Sequence, residues 1–235
     1  MKKIITLCIP LLFAACNKSD DYVKKNAIAE VPPEGLKIRQ REDKYIFKYY
    51  YHQNGFIDSV YVMKESEISH KFFYNEFNQI TEDHYLVKNL TDPSAYTKRI
   101  TKYTYNRFNQ ISKATVYDKN NQLQYSLNYE YNTEGYLYNP TKIVKNENLI
   151  AENSYDYYQN YTFDTTRNPY YNIFPKAFKI IKYINKNNII KHEVKMPHNT
   201  IEYTFDLRYN ESNYVSTQMM RENGSDKEYT HFHYY

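Results

Sequence analysis

A nine-residue unit recurs along the chain and constrains its fold more than any other feature. Each copy reads aromatic residue, any residue, Tyr, Asn or His, two further residues, Gly or Asn, one more residue, and Ile or Leu. Four copies occupy residues 49–57, 72–80, 103–111 and 129–137, and a looser one occupies 207–215. The spacing inside the unit is constant while the intervals between units vary. The chain is therefore predicted to be a series of similar supersecondary elements joined by loops of different length.

The chemistry of the unit predicts a β-hairpin. Aromatic-x-Tyr places both rings on one face of a strand. The following Asn caps a turn with its side chain, and Gly or Asn three residues later tolerates a positive φ. The aliphatic residue begins the return strand. In the three central units the predicted turn residues are Asn75, Asn78, Asn106, Asn109, Asn132 and Gly135.

Hairpins in series predict an all-β protein with an antiparallel β-meander. The composition agrees, since 30 Tyr and 12 Phe among 235 residues favour strands. Four Gly leave little room for nucleotide-binding loops. We expect residues 36–235 to form one β domain whose final strand, 229–235, completes the sheet.

One segment departs from the strand pattern. Residues 175–184 place apolar side chains at positions 177, 178, 181 and 184, a helical spacing, behind a Pro suited to a first turn. We expect a short helix that plugs one end of the sheet and ends at residues 185–188. A β-branched strand is the alternative.

The first residues predict export. A basic start, an apolar run of about a dozen residues and small residues before Cys16 are typical of a secretory signal, and the run is too short to span a bilayer. Residues 13–16 resemble the bacterial lipobox, with Phe13 in place of the commoner Leu. That resemblance implies a lipoprotein signal peptide over 1–15 and acylation of Cys16. An ordinary signal peptide cut near Ala15 is the alternative.

The cysteine count favours lipidation. The only other Cys, Cys8, lies in the segment expected to be removed, so the mature chain has no disulfide. Residues 16–35 are interpreted as a flexible tether. Within it Lys18, Asp20 and Asp21 resemble the signal that sends Bacteroidota lipoproteins to the outer face of the outer membrane; a merely solvated tether is the alternative.

The hairpin unit resembles the Tyr-Asp/Asn repeats of the Rhs/YD class and, more closely, a group of uncharacterised Tyr-rich lipoproteins of Bacteroidota. Similar features of that group are the segment 161–171, an Asn-Asn turn at 187–189 and closing hairpins over 201–235. The resemblance covers about residues 36–235. It implies a curled all-β sheet and a surface lipoprotein, and it implies no established activity.

Several functional classes lose support. The net charge of +4 is spread along the chain without a basic block, which argues against a nucleic-acid partner. No Gly-x-Ser-x-Gly, phosphate loop or His-Glu-x-x-His motif occurs, and no cofactor or catalytic residue is predicted. Glu65, Glu67, Glu82 and Asp83 are interpreted as a solvated face. His231 and His233 are interpreted as polar residues at a strand end, with no metal site.

Two functional hypotheses remain. The first is a monomeric, lipid-anchored outer-membrane protein that faces the exterior and acts as a non-enzymatic binding or scaffold module for a glycan or an envelope protein. Its Tyr residues would supply rigid contact area, unless most of them form cross-strand packing inside the domain. The alternative is a hydrolase that acts on extracellular polysaccharide through paired carboxylates.

Overall fold

The computed structural model describes residue 29 and residues 35–63, 66–89, 91–92 and 94–235. The predicted signal peptide, the lipidation site Cys16 and the export signal Lys18, Asp20 and Asp21 lie outside the described residues. Most of the predicted tether lies outside them as well.

Strands dominate the described residues. They are β1 Ile38–Glu42, β2 Ile46–Tyr51, β3 Ile57–Met63, β4 Ser66–Tyr74, β5 Ile80–Asn89, β6 Tyr96–Tyr105, β7 Ile111–Tyr117, β8 Leu123–Asn128, β9 Lys142–Lys145, β10 Asn148–Asn153, β11 Tyr158–Arg167, β12 Asn187–Met196, β13 Asn199–Tyr209, β14 Val215–Glu222 and β15 Ser225–Tyr234. A short 3₁₀ helix, Pro169–Asn172, and the helix α1, Lys176–Ile181, lie between β11 and β12.

All fifteen strands belong to one antiparallel sheet, so the predicted all-β fold is confirmed. Its order is β8-β7-β6-β5-β4-β3-β2-β1-β15-β14-β13-β12-β11-β10-β9. Strands β1 to β8 form one meander and β9 to β15 form another. The two meanders join where β1 pairs with β15, for example at Arg41 opposite Phe232.

The final strand, β15, joins the two meanders. It lies in the interior of the sheet, between β1 and β14. The sheet edges are instead β8 and β9, which are consecutive in the chain. Local hairpin patterns gave no signal for the pairing of β1 with β15, because that contact joins residues almost a whole chain apart.

The curled sheet is not closed, because its edge strands β8 and β9 do not pair with each other. Residues 129–141 connect β8 to β9, and residues from this connection and from both sides of the β9–β10 turn line one cavity. The connection contains the fourth hairpin unit. Its return strand is reduced to an isolated bridge between Tyr131 and Leu137.

Tyrosine hydroxyls tie neighbouring hairpins together. The second Tyr of a unit donates its hydroxyl hydrogen to the carbonyl of the aliphatic residue that begins the return strand of the preceding unit. The bonds are Tyr74 to Ile57 (2.6 Å), Tyr105 to Ile80 (2.9 Å) and Tyr131 to Ile111 (2.7 Å), with related bonds from Tyr51 to Ile38 (2.7 Å) and from Tyr234 to Val215 (2.7 Å). We call this series the tyrosine ladder. It gives the repeated Tyr a structural role.

The predicted short helix is confirmed as α1, which follows Pro175. It ends earlier than expected, at Ile181, because Tyr183 adopts a left-handed φ of 50° two residues later. The expected Asn-Asn turn at 187–189 is wrong. Asn187 and Asn188 begin β12, where Asp164 accepts hydrogen bonds from the backbone and side chain of Asn188 at 3.0 Å each.

The hydrophobic core lies between α1 and the concave face of the sheet. Phe178 of α1 contacts Phe72 and Tyr103 edge-on, with ring centroids 5.7 Å away in each case. Ile57 and Ile80, which begin return strands, are fully buried beside this cluster. The helix thus packs over the ends of the hairpins, as the amphipathic spacing of 175–184 predicts.

Candidate binding cavity

The hairpin turns are built by the side chain of their first residue. In the third unit the Asn106 side-chain oxygen accepts hydrogen bonds from the backbone N–H groups of Phe108 (2.9 Å) and Gln110 (3.1 Å). The turns led by Asn75, Asn132 and Asn210 repeat this geometry. Three residues after Asn, the φ angle is 59° at Asn78 and Asn109 and 81° at Gly135.

A further turn of the same design escaped the sequence pattern. The Asp118 side chain accepts hydrogen bonds from the backbone N–H groups of Asn120 and Gln122, both at 2.9 Å, and Asn121 has a φ of 59°. Asp replaces the leading Asn here, and Thr115 replaces the first aromatic residue. The turn chemistry of Asp at this position was the available signal.

Two of these turns, those led by Asn106 and Asn132, border with α1 a cavity of about 920 Å³, which we call the helix cavity. Its wall is formed by the third and fourth hairpin turns, by α1 with the residues after it, and by the β9–β10 turn. Six aromatic rings line it, from Phe56, Phe108, Tyr136, Tyr171, Phe174 and Tyr183. Phe108 is two-thirds exposed at the tip of its turn, so its ring is accessible to a ligand.

The β9–β10 turn supplies an anion to the helix cavity. Asn146 and Glu147 have φ angles of 51° and 64°, the pair of left-handed residues that a two-residue hairpin turn requires. The Glu147 carboxylate accepts a hydrogen bond from the Tyr171 hydroxyl at 2.6 Å and pairs with the Lys186 ammonium at 3.2 Å. Glu147 is therefore held by partners from two other segments.

A buried cation stands beside this group. Lys179 of α1 is only 8% exposed, and its Nζ lies 3.7 Å from the centroid of the Tyr171 ring. Burial alone would raise the pKa of Glu147. The hydrogen bonds from Tyr171 and Lys186 and the charges of Lys186 and Lys179 outweigh burial, so the pKa of Glu147 falls below its ordinary value. Glu147 is consequently an anion at neutral pH.

The lining suits binding better than acid–base catalysis. The amide side chains of Asn109, Gln110 and Asn185 line the cavity together with the aromatic rings. A second carboxylate, Glu134, also lines it. A general acid needs a raised pKa, whereas the ion-paired Glu147 has a lowered one.

The structure brings only two of the predicted turn residues to this cavity, Asn109 and Gly135. Asn75, Asn106 and Asn132 act within their turns. The side-chain oxygen of Asn78 accepts a hydrogen bond from the Asn54 amide of the neighbouring turn at 2.8 Å. The site residues that sequence reasoning missed are Glu147, Tyr171 and Lys179, which are 32 residues apart at most in sequence but have no shared motif. Only the fold brings β9–β10, the 3₁₀ helix and α1 together.

The carboxylates considered in the sequence lie elsewhere, on strands. Glu67 pairs with Lys88 at 3.5 Å, and Glu82 lies 3.4 Å from Lys102. Asp83 is buried and lies 3.0 Å from His70, so its assignment to a solvated face is wrong. The side chain of Glu65 is outside the described residues.

His231 and His233 contact different residues. His233 lies 3.3 Å from Glu42, while His231 packs edge-on against Tyr229. Within the described part of the chain, no group of three or more His, Cys, Asp or Glu side chains is placed to hold a metal ion. Over the same residues, no helix has the length and apolar character needed to cross a membrane.

Comparison with known proteins gives distant structural likenesses. No protein-family model matches the sequence, and no curated protein matches it. The chain is similar to a porin-like protein from Bacteroides uniformis ATCC 8492, with a TM-score of 0.40 and 9% identity over 89% of this chain and 100% of that one. A porin-like protein from Bacteroides vulgatus ATCC 8482 gives a TM-score of 0.34 and 8% identity over 85% and 99%. Such low TM-scores carry no argument about function.

Proposed function

We propose that this protein is a lipid-anchored, non-enzymatic binding module of the cell envelope and that the helix cavity holds a glycan. The observation that supports this proposal is the cavity itself. Its volume of about 920 Å³ falls within the range of about 300–1,000 Å³ typical of small-molecule sites, and both aromatic rings and polar side chains line it.

This lining matches the chemistry of a sugar. A pyranose ring has an apolar C–H face, which packs on an aromatic ring such as the accessible Phe108. Its hydroxyls both donate and accept hydrogen bonds. The side-chain oxygens of Gln110 and Asn185 accept hydrogen bonds from the Asn106 amide and the Leu149 backbone, which orients both amides. Their NH2 groups offer donors to a ligand, and the Glu147 carboxylate offers acceptors.

The envelope location rests on the N-terminal sequence. In the proposal, the signal peptide is removed, Cys16 is acylated, and Lys18, Asp20 and Asp21 direct the protein to the exterior face of the outer membrane. Several acyl chains, at about 0.8 kcal/mol per buried methylene, would hold the protein to the bilayer. The domain acts as a monomer and binds no nucleic acid, in keeping with its dispersed charge.

The test uses the mature chain and a set of neutral, N-acetylated and uronic-acid oligosaccharides, with binding measured by titration calorimetry. We expect at least one class to bind, and Phe108→Ala to weaken its binding by about tenfold or more. Phe77→Ala is the matched control, because Phe77 occupies the same position in the Asn75 turn but does not line the cavity. Absence of binding throughout the set, or equal losses in both variants, would contradict the proposal.

The hydrolase remains a second candidate because two carboxylates, Glu134 and Glu147, line one cavity. The oligosaccharides from the titrations are therefore analysed for chain length after prolonged incubation. We expect unchanged lengths. Shortened products that are absent with Glu147→Gln would mean that the protein is a hydrolase rather than a binding module.

A further inference from the structure

The edge strand β8 presents unpaired backbone groups. The Tyr129 N–H donates to the Ser112 carbonyl of the neighbouring chain segment at 2.9 Å, so residues 129 and 112 form a hydrogen-bonded pair. Such pairs alternate along an antiparallel ladder. With Ser126 opposite Thr115 and Asn128 opposite Lys113, the N–H and C=O groups of Ser126 and Asn128 therefore point away from β7, toward the open side of the sheet.

The two sheet edges cannot pair with each other in the antiparallel manner of the remaining strands. All neighbours in the fifteen-stranded sheet are antiparallel, so its first and last members, β8 and β9, run in the same direction. The sheet is open between β8 and β9, and a strand added there would run antiparallel to both. We call this opening the seam.

The chain itself begins such a strand and then leaves the seam. The Tyr138 N–H donates to the Glu130 carbonyl at 2.7 Å, next to the Tyr131–Leu137 bridge. A turn follows, closed by a hydrogen bond from the Lys142 N–H to the Asn139 carbonyl at 3.1 Å, and β9 begins. Residues 136–138 thus cover the extension of β8 and leave the edge of β8 itself uncovered among the described residues.

The side chains of β8 permit its open edge to pair with another strand. Tyr125 and Leu127 are each about half exposed, although Val116 and Ala114 opposite them on β7 are buried. Residues 123–128 contain no charged residue and no Pro. Charged residues and Pro prevent the pairing of exposed edge strands in many proteins, and because β8 lacks them its edge can pair.

We propose that the seam binds an extended segment of another polypeptide, which adds to β8 as an antiparallel strand. Main-chain hydrogen bonds to Ser126 and Asn128 would hold it, as in other cases of β-strand addition. The six residues of β8 offer an edge of about 20 Å. The bound segment carries apolar residues opposite Tyr125 and Leu127, which continue the apolar rows from β7.

The charge near the edge specifies the partner further. Lys113 is exposed, stands opposite Asn128 on the polar face, and takes part in none of the ion pairs between described residues. An acidic residue opposite Asn128 would come within reach of its ammonium group. A second copy of this protein would offer its own β8, which has no carboxylate. The charge therefore favours a different, acidic and apolar, polypeptide.

The experiment measures amide hydrogen exchange at Ser126 and Asn128 in the mature chain, alone and with the acetylated peptide Glu-Val-Thr-Val-Thr-Val. In antiparallel register this peptide places Glu opposite Asn128 and Val opposite Leu127 and Tyr125. We expect both amides to exchange quickly in the protein alone and at least tenfold more slowly with saturating peptide. A peptide N-methylated at the residues opposite Ser126 and Asn128 should give no protection.

Charge variants test the proposed complementarity. Lys113→Glu should weaken peptide binding at least fivefold, while Lys48→Glu, at an exposed position on the distant strand β2, should leave it unchanged. Failure of the peptide to bind would overturn the proposal. Protection in the protein alone would also overturn it: concentration-independent protection would mean that the chain covers its own edge, and concentration-dependent protection would mean that a second copy does.

Discussion

Gly135 lies at a φ of 81°, in the turn position where Asn78 and Asn109 have 59°. A Cβ at Gly135 would meet Gln110 at an ordinary contact distance of 3.5 Å, so backbone strain, rather than lack of space, opposes substitution. Gly135→Val should destabilise the domain by about 1–3 kcal/mol, because β-branched residues strongly disfavour a left-handed conformation. Urea unfolding measures the change.

Two further variants isolate the cause. Gly135→Asn should cost much less, since Asn tolerates positive φ at the equivalent turns. Thr133→Val changes the same turn at a residue without positive φ and should be mild. If Val is as harmless at 135 as at 133, the conformational requirement of the turn is wrong.

The recurring elements are joined by the tyrosine ladder, and its hydrogen bonds should be measurable. Tyr131→Phe removes the hydroxyl that donates to the Ile111 carbonyl at 2.7 Å and leaves that carbonyl without this donor. We expect a loss of about 0.5–1.5 kcal/mol in the free energy of unfolding. Tyr50→Phe is the control, because Tyr50 is half exposed on the same sheet. Equal losses in the two variants would argue against the ladder.

The ladder should also make stability depend on alkaline pH. Burial, followed by the nearby phenols Tyr129 and Tyr183, raises the pKa of Tyr131, and burial likewise raises the pKa of Tyr51 and Tyr234. A raised phenol pKa stabilises the fold fully below the ordinary value of about 10, and this contribution is lost as the pH rises above it. The urea midpoint should therefore fall above about pH 10, and less steeply in Tyr131→Phe.

At the scale of elements, the sequence predicted what local chemistry decides. The turns led by Asn75 and Asn106 and the helix after Pro175 follow from side-chain capping and apolar spacing. The turn led by Asp118 was missed because its preceding strand lacks the first aromatic residue. Asn187 was misassigned to a turn because long-range hydrogen bonds outweigh its local preference for turns. Its backbone N–H donates to the Asn148 side-chain oxygen at 3.0 Å.

At the scale of the whole molecule, truncation before Glu228 should do more than expose one edge. It removes the part of β15 that pairs with β1 and so separates the two meanders. We expect loss of the cooperative unfolding transition and of solubility. Deletion of Tyr235 alone, an exposed residue beyond β15, should be mild. Unchanged melting of the longer truncation would contradict the observed sheet order.

The proposed anchor is tested in cells. Cys16→Ala should abolish labelling by a palmitate analogue, because the acylated thiol is absent. Cys8→Ala, within the predicted signal peptide, should retain the label. Label that persists on Cys16→Ala would contradict lipidation at this residue.

The arrangement of elements that are distant in sequence could not be predicted from the sequence. The helix cavity depends on Glu147, Tyr171 and Lys179 meeting from three elements, and no spacing rule links them. The seam depends on two features of the whole sheet. The odd number of strands makes β8 and β9 run in the same direction, and the pairing of β1 with β15 leaves β8 and β9 at the edges. Both are properties of the assembled sheet, which local hairpin patterns leave undetermined.

The pairing of β1 with β15 also implies an order of events in folding. Each meander consists of strands that are neighbours in sequence, so its hairpins can form early. Ile38, however, pairs with Tyr234, which lies 196 residues later. Ordering the ends of so long a loop carries the largest closure entropy in the molecule. The two meanders should therefore join last, so the pairing of β15 with β1 limits the rate at which the complete sheet forms.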